Sequence, residues 1–182
     1  GEAVRAAKNS DVAVVVVGEQ FSRQGPNRDD WPTDGEGSDA ASLDLTGVQD
    51  QLVQAVAATG TPVVVVLINA RPLSVRWEAE HAPALVEAWE PGERGGEAVA
   101  DVLFGNYNPS GRLAISIPRS AAQLPVYYDA KPSKLFWTTK GWSADKGYVD
   151  MPATPLYPFG YGLSYTHFQY GNLVVDPPAI LP

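Results

Sequence analysis

The sequence predicts an α/β fold, a three-layer sandwich with a mostly parallel sheet, on three observations. Two unbroken runs of mostly β-branched residues, 12–17 and 63–68, have the length and character of strands buried on both faces. A helix-period segment lies between them, so the strands are joined through a crossover and run parallel. From Pro118 onward prolines, glycines and aromatics dominate without a helical period, which predicts a long aromatic-rich C-terminal loop layer covering the sheet.

In chain order, the Ala-rich residues 3–9 close a short helix, and Asp11 precedes the first valine run, which ends at Gly18. Residues 46–59 read as a helix: Thr46 and Gln49 have capping-box spacing, Val48, Leu52, Ala55 and Val56 share a face, and Gly60 sits where the helix ends. Pro62 introduces the second strand. A shorter strand follows over 84–89, then a Pro91-Gly92 turn, the Gly95-Gly96 pair and a helix over 97–104 with Val99, Val102 and Leu103 on one face. Large and small residues alternate over 113–117, and this period of two predicts an antiparallel edge strand. Residues 1–170 form the domain and 171–182 read as a linker or the start of a following domain. So few strands make a thin sheet, and a doubly buried strand so near the start predicts further strands upstream of Gly1. Without them the first strand would offer an open edge and promote self-association.

The composition bounds the function. With 182 residues, 45% hydrophobic, 19% charged and 5 Trp, the chain can bury a substantial core. The absence of cysteine excludes disulfides, Cys-ligated metals and thiol nucleophiles, and 2 histidines make a His-rich metal site a poor expectation. A net charge of −8 repels phosphate backbones and anionic lipid, so neither nucleic acid nor a membrane is an expected partner. No apolar run approaches the roughly 18 residues of a span, and any export signal lies outside this chain.

The segment from Glu19 to Asp44 carries the chemistry-bearing residues. It holds Glu19, Asp29, Asp30, Asp34, Glu36, Asp39 and Asp44 against Arg23 and Arg28, and it leaves the carboxyl end of the first strand, where open α/β sheets place ligand sites. Composition alone leaves it either a solvated acidic loop or a loop delivering a carboxyl group for acid/base work, with Glu36 between Gly35 and Gly37 as its tip. A calcium loop fits poorly, because no glutamate closes the twelve-residue pattern begun at Asp30. Dinucleotide and P-loop glycine motifs and a G-x-S-x-G elbow are absent. His167, beside Phe168, reads as a packed imidazole. Trp31, Trp137 and Trp142 fall in loops, where a ring can stack on a sugar or simply be a partly buried lid residue.

Three stretches carry a family resemblance: Ser10-Asp11 with the valine run into Gly18-Glu19; Asp101-Val102-Leu103-Phe104-Gly105-Asn106-Tyr107-Asn108-Pro109-Ser110-Gly111-Arg112-Leu113; and Pro155-Leu156-Tyr157-Pro158-Phe159-Gly160-Tyr161-Gly162-Leu163-Ser164-Tyr165-Thr166. Together with Asn69-Ala70-Arg71-Pro72, the chain resembles the C-terminal α/β-sandwich domain of glycoside hydrolase family 3, in the bacterial β-glucosidase branch. The resemblance implies a retaining hydrolysis of β-glucosides or short β-glucans, without cofactor or metal. An Asp nucleophile would come from an N-terminal barrel domain of the same polypeptide. A glutamate acid/base would come from a sandwich loop, the carboxyl groups approaching to about 5 Å around the sugar. Leu43-Asp44-Leu45 sets the register, so Glu36 in Glu36-Gly37-Ser38-Asp39 matches the family's acid/base, with Glu19 the runner-up and Trp31 and Asp39 candidate sugar contacts. Where a common form of the motif has arginine after the aspartate, Ala40 stands here, which bears on how the loop is anchored. The family also implies a secreted or periplasmic location. The reading of another class is a silent sandwich that only packs on a barrel or binds carbohydrate.

Overall fold

The structure is a computed structural model, which describes residues 1–20, 32–35, 39–129 and 148–176. Its frame is a three-stranded, wholly parallel sheet in the order β1 (Ala13–Gly18), β2 (Val63–Ile68), β3 (Ala84–Glu87). The registers are simple: Ala13 faces Val63 through Gly18 facing Ile68, and Val64 faces Ala84 through Leu67 facing Glu87. Helices α1 (Glu2–Lys8) and α2 (Gln49–Ala57) pack together, and α2 lies on β1 and β2. The core holds Ala7, Val15, Val17, Val53, Val56, Val63, Val65, Leu67, Leu73 and Val75. Helices α3 (Arg76–His81) and α4 (Gly95–Leu103) complete the described α-helices of this α/β fold, and a single 3-10 turn spans Ala121–Gln123.

β2 is buried on both faces as its composition predicts, but β1 is not. Val15 and Val17 are buried, whereas Val14 is 50% and Val16 61% exposed. β1 pairs only with β2 among the described residues, and α1 and α2 cover one face. The other face looks into a groove with α4 across it. The buried stripe of α2 is offset from the expected one. Val48 is 75% exposed, and it is Gln49, Val53 and Val56, at spacings of one and two helical turns, that face inward. Gln49 does reach back to the Thr46 backbone oxygen and hydroxyl, but Thr46 caps nothing: the helix begins later, with Val48 as an N-cap making no side-chain bond. Helix α3 was not anticipated; it is shorter than two turns, too short for a hydrophobic period to show.

Residues 113–117 form no strand, contrary to the expectation of an antiparallel edge strand. Ile117 makes one antiparallel bridge to Tyr157, and Leu113 exchanges bonds with Gly160 and Tyr161. The direction is antiparallel, but the partner is the proline- and glycine-rich C-terminal segment, where Pro158 offers no ladder donor. That segment is anchored by Gln123, whose side-chain amide donates toward the Pro152, Ala153 and Thr154 carbonyls and whose Oε1 accepts from the Arg119 N–H. The aromatic rings do not seal the sheet as expected: Phe159, Tyr161 and Tyr165 are 46%, 41% and 59% exposed. Phe159 stacks on Tyr128 and Tyr161 on Tyr157, the Tyr165 hydroxyl donates to the Val102 carbonyl, and Ile117, Met151 and Ala153 supply the burial.

Candidate active-site loop and its anchor

The carboxyl ends of the strands gather a buried polar cluster. Gly18 ends β1 at φ 148°, and a Cβ there would lie 1.9 Å from the Ile68 carbonyl oxygen, so only glycine allows this approach of β1 to β2. The Gln49 side chain accepts from the Gly18 N–H and donates to the Gly18 carbonyl, both at 2.8 Å, closing the strand end against α2. Glu19 follows, its N–H donating to the Ile68 carbonyl at 2.8 Å.

Glu19 is a buried partner of Arg71. Its side chain is 1% exposed, and its Oε1 accepts from Arg71 Nε at 2.7 Å and Nη2 at 2.6 Å. The same guanidinium donates from Nη1 to the Ser42 carbonyl at 2.6 Å and from Nη2 to the Thr33 carbonyl at 3.4 Å. Arg71 is itself seated by Asn69, fully buried at the end of β2, whose Nδ2 donates to the Arg71 carbonyl at 2.9 Å. Asn69 also reaches Glu87 at the end of β3. Burial pushes the Glu87 carboxyl up to about 7, and the nearby Glu19 charge adds to the rise, against the lowering bonds from the Trp89 N–H and Asn69.

The flanks of the acidic loop are pinned here. Gln20 and Thr33 exchange bonds, the Gln20 N–H donating to Thr33 Oγ1 at 2.8 Å and the Thr33 N–H to the Gln20 carbonyl at 3.0 Å. On the far flank Ser42 Oγ donates to Asp44 and accepts its N–H, and the Leu43 carbonyl accepts from the Ser74 N–H. Asp34 and Gly35 line a groove of about 1160 Å³ with Val16, Val66, Ile68 and Arg71 on the sheet side and Val99, Ala100 and Leu103 of α4 opposite. Of the residues singled out in the sequence, Glu36 and Trp31 lie outside the described residues, as do Trp137 and Trp142. Asp39 is exposed. Glu19 is inaccessible behind Arg71, the geometry of a support. Among the described residues no group of acids and histidines is arranged to hold a metal ion. Sequence reasoning assigned no role to Glu87, placed Arg71 only within the Asn69-Ala70-Arg71-Pro72 motif directly after the second valine run, and read Gln49 only as a capping-box partner of Thr46.

The comparisons with known proteins agree with one another. The profile of the glycosyl hydrolase family 3 C-terminal domain matches residues 1–165. A β-xylosidase from Formosa agariphila is 47% identical over 98% of this chain, and the periplasmic β-glucosidase of Salmonella typhimurium 44% identical over 98%. The crystal structure of a β-glucosidase from Listeria innocua superposes with a TM-score of 0.78 at 39% identity, covering 91% of this chain. The chain spans only about a fifth of these proteins, 22% of each. It belongs to glycosyl hydrolase family 3, as a C-terminal domain of the kind found in that family's β-glucosidase- and β-xylosidase-like enzymes.

Proposed function

We propose that this domain supplies the acid/base carboxyl, Glu36, to a retaining exo-β-glycosidase that removes terminal β-linked glucosyl residues, the Asp nucleophile lying on a barrel domain of the same polypeptide. In glycosylation the protonated Glu36 gives its proton to the departing aglycone oxygen as the nucleophile forms the glycosyl ester. In deglycosylation the Glu36 carboxylate takes a proton from water, whose oxygen attacks the anomeric carbon and releases the aspartate. Trp31 offers a stacking face and Asp39 a hydrogen-bond acceptor for sugar hydroxyls. Glu19 supports the loop and does not react.

The placement of the loop base carries this reading: Glu19, Thr33 and Ser42 converge on Arg71 at the carboxyl end of the sheet, and Asp34 and Gly35, immediately before Glu36 in the chain, line the groove. A glucosyl substrate is favoured by the Listeria enzyme, crystallised with glucose and, as a mutant, with laminaribiose. A xylosyl substrate is the second reading, favoured by the Formosa relative. A secreted or periplasmic location follows the Salmonella relative's name. Because β1 pairs only with β2 among the described residues, the chain on its own is expected to self-associate as well as to be inactive.

The test is Glu36→Ala in the complete polypeptide. Turnover of glycosides with poor leaving groups should fall about 10²–10⁴-fold, activated aryl glycosides should be spared in glycosylation, and azide should restore deglycosylation. Comparing aryl glucosides with aryl xylosides decides the sugar. Unchanged turnover in Glu36→Ala would leave the domain a silent packing or carbohydrate-binding module, and the same profile in Glu19→Ala alone would move the assignment there.

A further inference from the structure

We propose that Arg71 is a positioning residue for the acid/base: it ties Thr33 and Ser42, which lie on either side of Glu36 in the chain, to the end of the sheet, and the general-acid step depends on that tie. This rests on the reading of Glu36 as the acid/base. The observation is that one guanidinium bonds three chain segments at once. Its contacts are Glu19 at the end of β1, the Thr33 carbonyl before Glu36 in the chain, and the Ser42 carbonyl after it. Gln20 and Thr33 pinch the near flank and Ser74 holds Leu43 on the far one, but among the described contacts Arg71 alone bridges the two. Its own base is rigid. It follows the doubly buried β2, precedes Pro72, and has its carbonyl held by the fully buried Asn69.

The residue type suits this work. A planar fork of donors can satisfy acceptors lying in different directions, which the compact ammonium of lysine cannot do without leaving one unbonded. Glu19 supplies the reason the fork stays put. Its carboxylate is buried, Oε2 has no hydrogen-bond partner among the described residues, and Arg71 is the cation that balances it, so swinging the guanidinium away would leave a charge stranded in the protein. Arg71 is thus locked on the sheet side and can act as a fixed post on the loop side. Positioning of this kind matters because a general acid must meet the leaving oxygen at hydrogen-bond distance, and a small displacement forfeits much of its effect.

The experiment measures kcat/KM for the complete polypeptide across glycosides from dinitrophenyl to alkyl aglycones, for wild type, Arg71→Lys, Arg71→Met, Glu36→Ala and Arg71→Met/Glu36→Ala. Arg71→Met is expected to lose about 10–100-fold on alkyl glycosides and less than about 3-fold on the dinitrophenyl glycoside, a part of the general-acid contribution. Arg71→Lys should fall between, and the double variant should be no slower than Glu36→Ala by more than about 3-fold. If Arg71→Met does not fold, Arg71→Lys decides, since it keeps the charge and loses the fork. A uniform loss over all leaving groups, or a double variant showing the product of the single losses, would overturn the proposal in favour of a purely structural role. Glu36→Ala tests the acid/base reading separately. If it is selective for poor leaving groups and the Arg71 variants are not, positioning fails and the acid/base reading stands. If Glu36→Ala is itself unselective, both fail.

Discussion

The buried Glu78 carboxyl should give the domain a stability that declines as pH rises, and one substitution should remove that contribution. The residue lies on α3, 2% exposed, and its Oε1 has no hydrogen-bond partner among the described residues. Burial pushes its carboxyl from 4.5 up to about 7; its own backbone N–H and His81 oppose the rise, and Asp50 on α2 adds to it. Asp50 accepts from Gln54, and His81 is stacked on Trp77 with Nδ1 against the Trp77 carbonyl, so these are the polar groups facing the pair. Between 4.5 and about 7 the folded chain holds a proton that the unfolded chain has released. Stability is therefore full below the lower value and falls as pH rises to the upper one, by about 3 kcal/mol in all. Glu78→Gln carries no titrating proton, so urea unfolding of the variant should lose a slope of about that size between roughly pH 4 and pH 8. It should overtake the wild type at the alkaline end. Glu87, raised the same way at the far end of the sheet, leaves a residual slope that Glu78→Gln/Glu87→Gln should abolish. Parallel pH–stability curves for wild type and Glu78→Gln would refute the reasoning, because they would mean that the buried carboxyl is not held protonated by the fold.

Three further outcomes are expected from urea unfolding. Gly18→Ala should cost more than about 2 kcal/mol, since its methyl would meet the Ile68 carbonyl in a backbone region that side chains avoid. Leu67→Ala, 2% exposed on the central strand, should cost about 2–5 kcal/mol, whereas Val16→Ala, 61% exposed on β1, should stay within about 1 kcal/mol. A large loss at Val16 would show that the open face of β1 is covered in solution. Gln49→Leu should cost about 1–3 kcal/mol by stranding both backbone groups of Gly18.

What the sequence disclosed follows from the kind of force at each position. The two valine runs and their parallel pairing were legible because a central strand such as β2 needs apolar residues on both faces. The same composition misled at β1, since a run of valines says nothing of whether a neighbour covers it. Alternation over 113–117 gave the direction of pairing but not its extent, which depended on a distant partner containing Pro158. Glu36 was named through its neighbours Gly37-Ser38-Asp39 and the register at Leu43, a pattern of local sequence. Arg71 was met only inside a local motif and Gln49 only as a capping residue, because the ion pair to Glu19 and the bonds to Gly18 join positions far apart in the chain, and no period or motif length records that distance.

The one-residue offset in α2 links these failures to the proposed chemistry. With Val48 turned outward, the inward stripe is Gln49, Val53 and Val56, and two valines bury the helix while its first polar residue is left facing the sheet. That residue can only be tolerated there if it is bonded, and the backbone of Gly18 supplies both a donor and an acceptor. The helix thus fixes the end of β1, and with it the backbone from which Glu19 projects to Arg71. Arg71 in turn stands on β2 through Asn69, and holds the Thr33 and Ser42 carbonyls on either side of the acid/base candidate. The links run from the fully buried Asn69 through the buried Glu19 carboxylate and half-buried Arg71 to the exposed Ser42, so the described ends of the acidic loop are held to the end of the sheet by hydrogen bonds rather than by buried apolar surface.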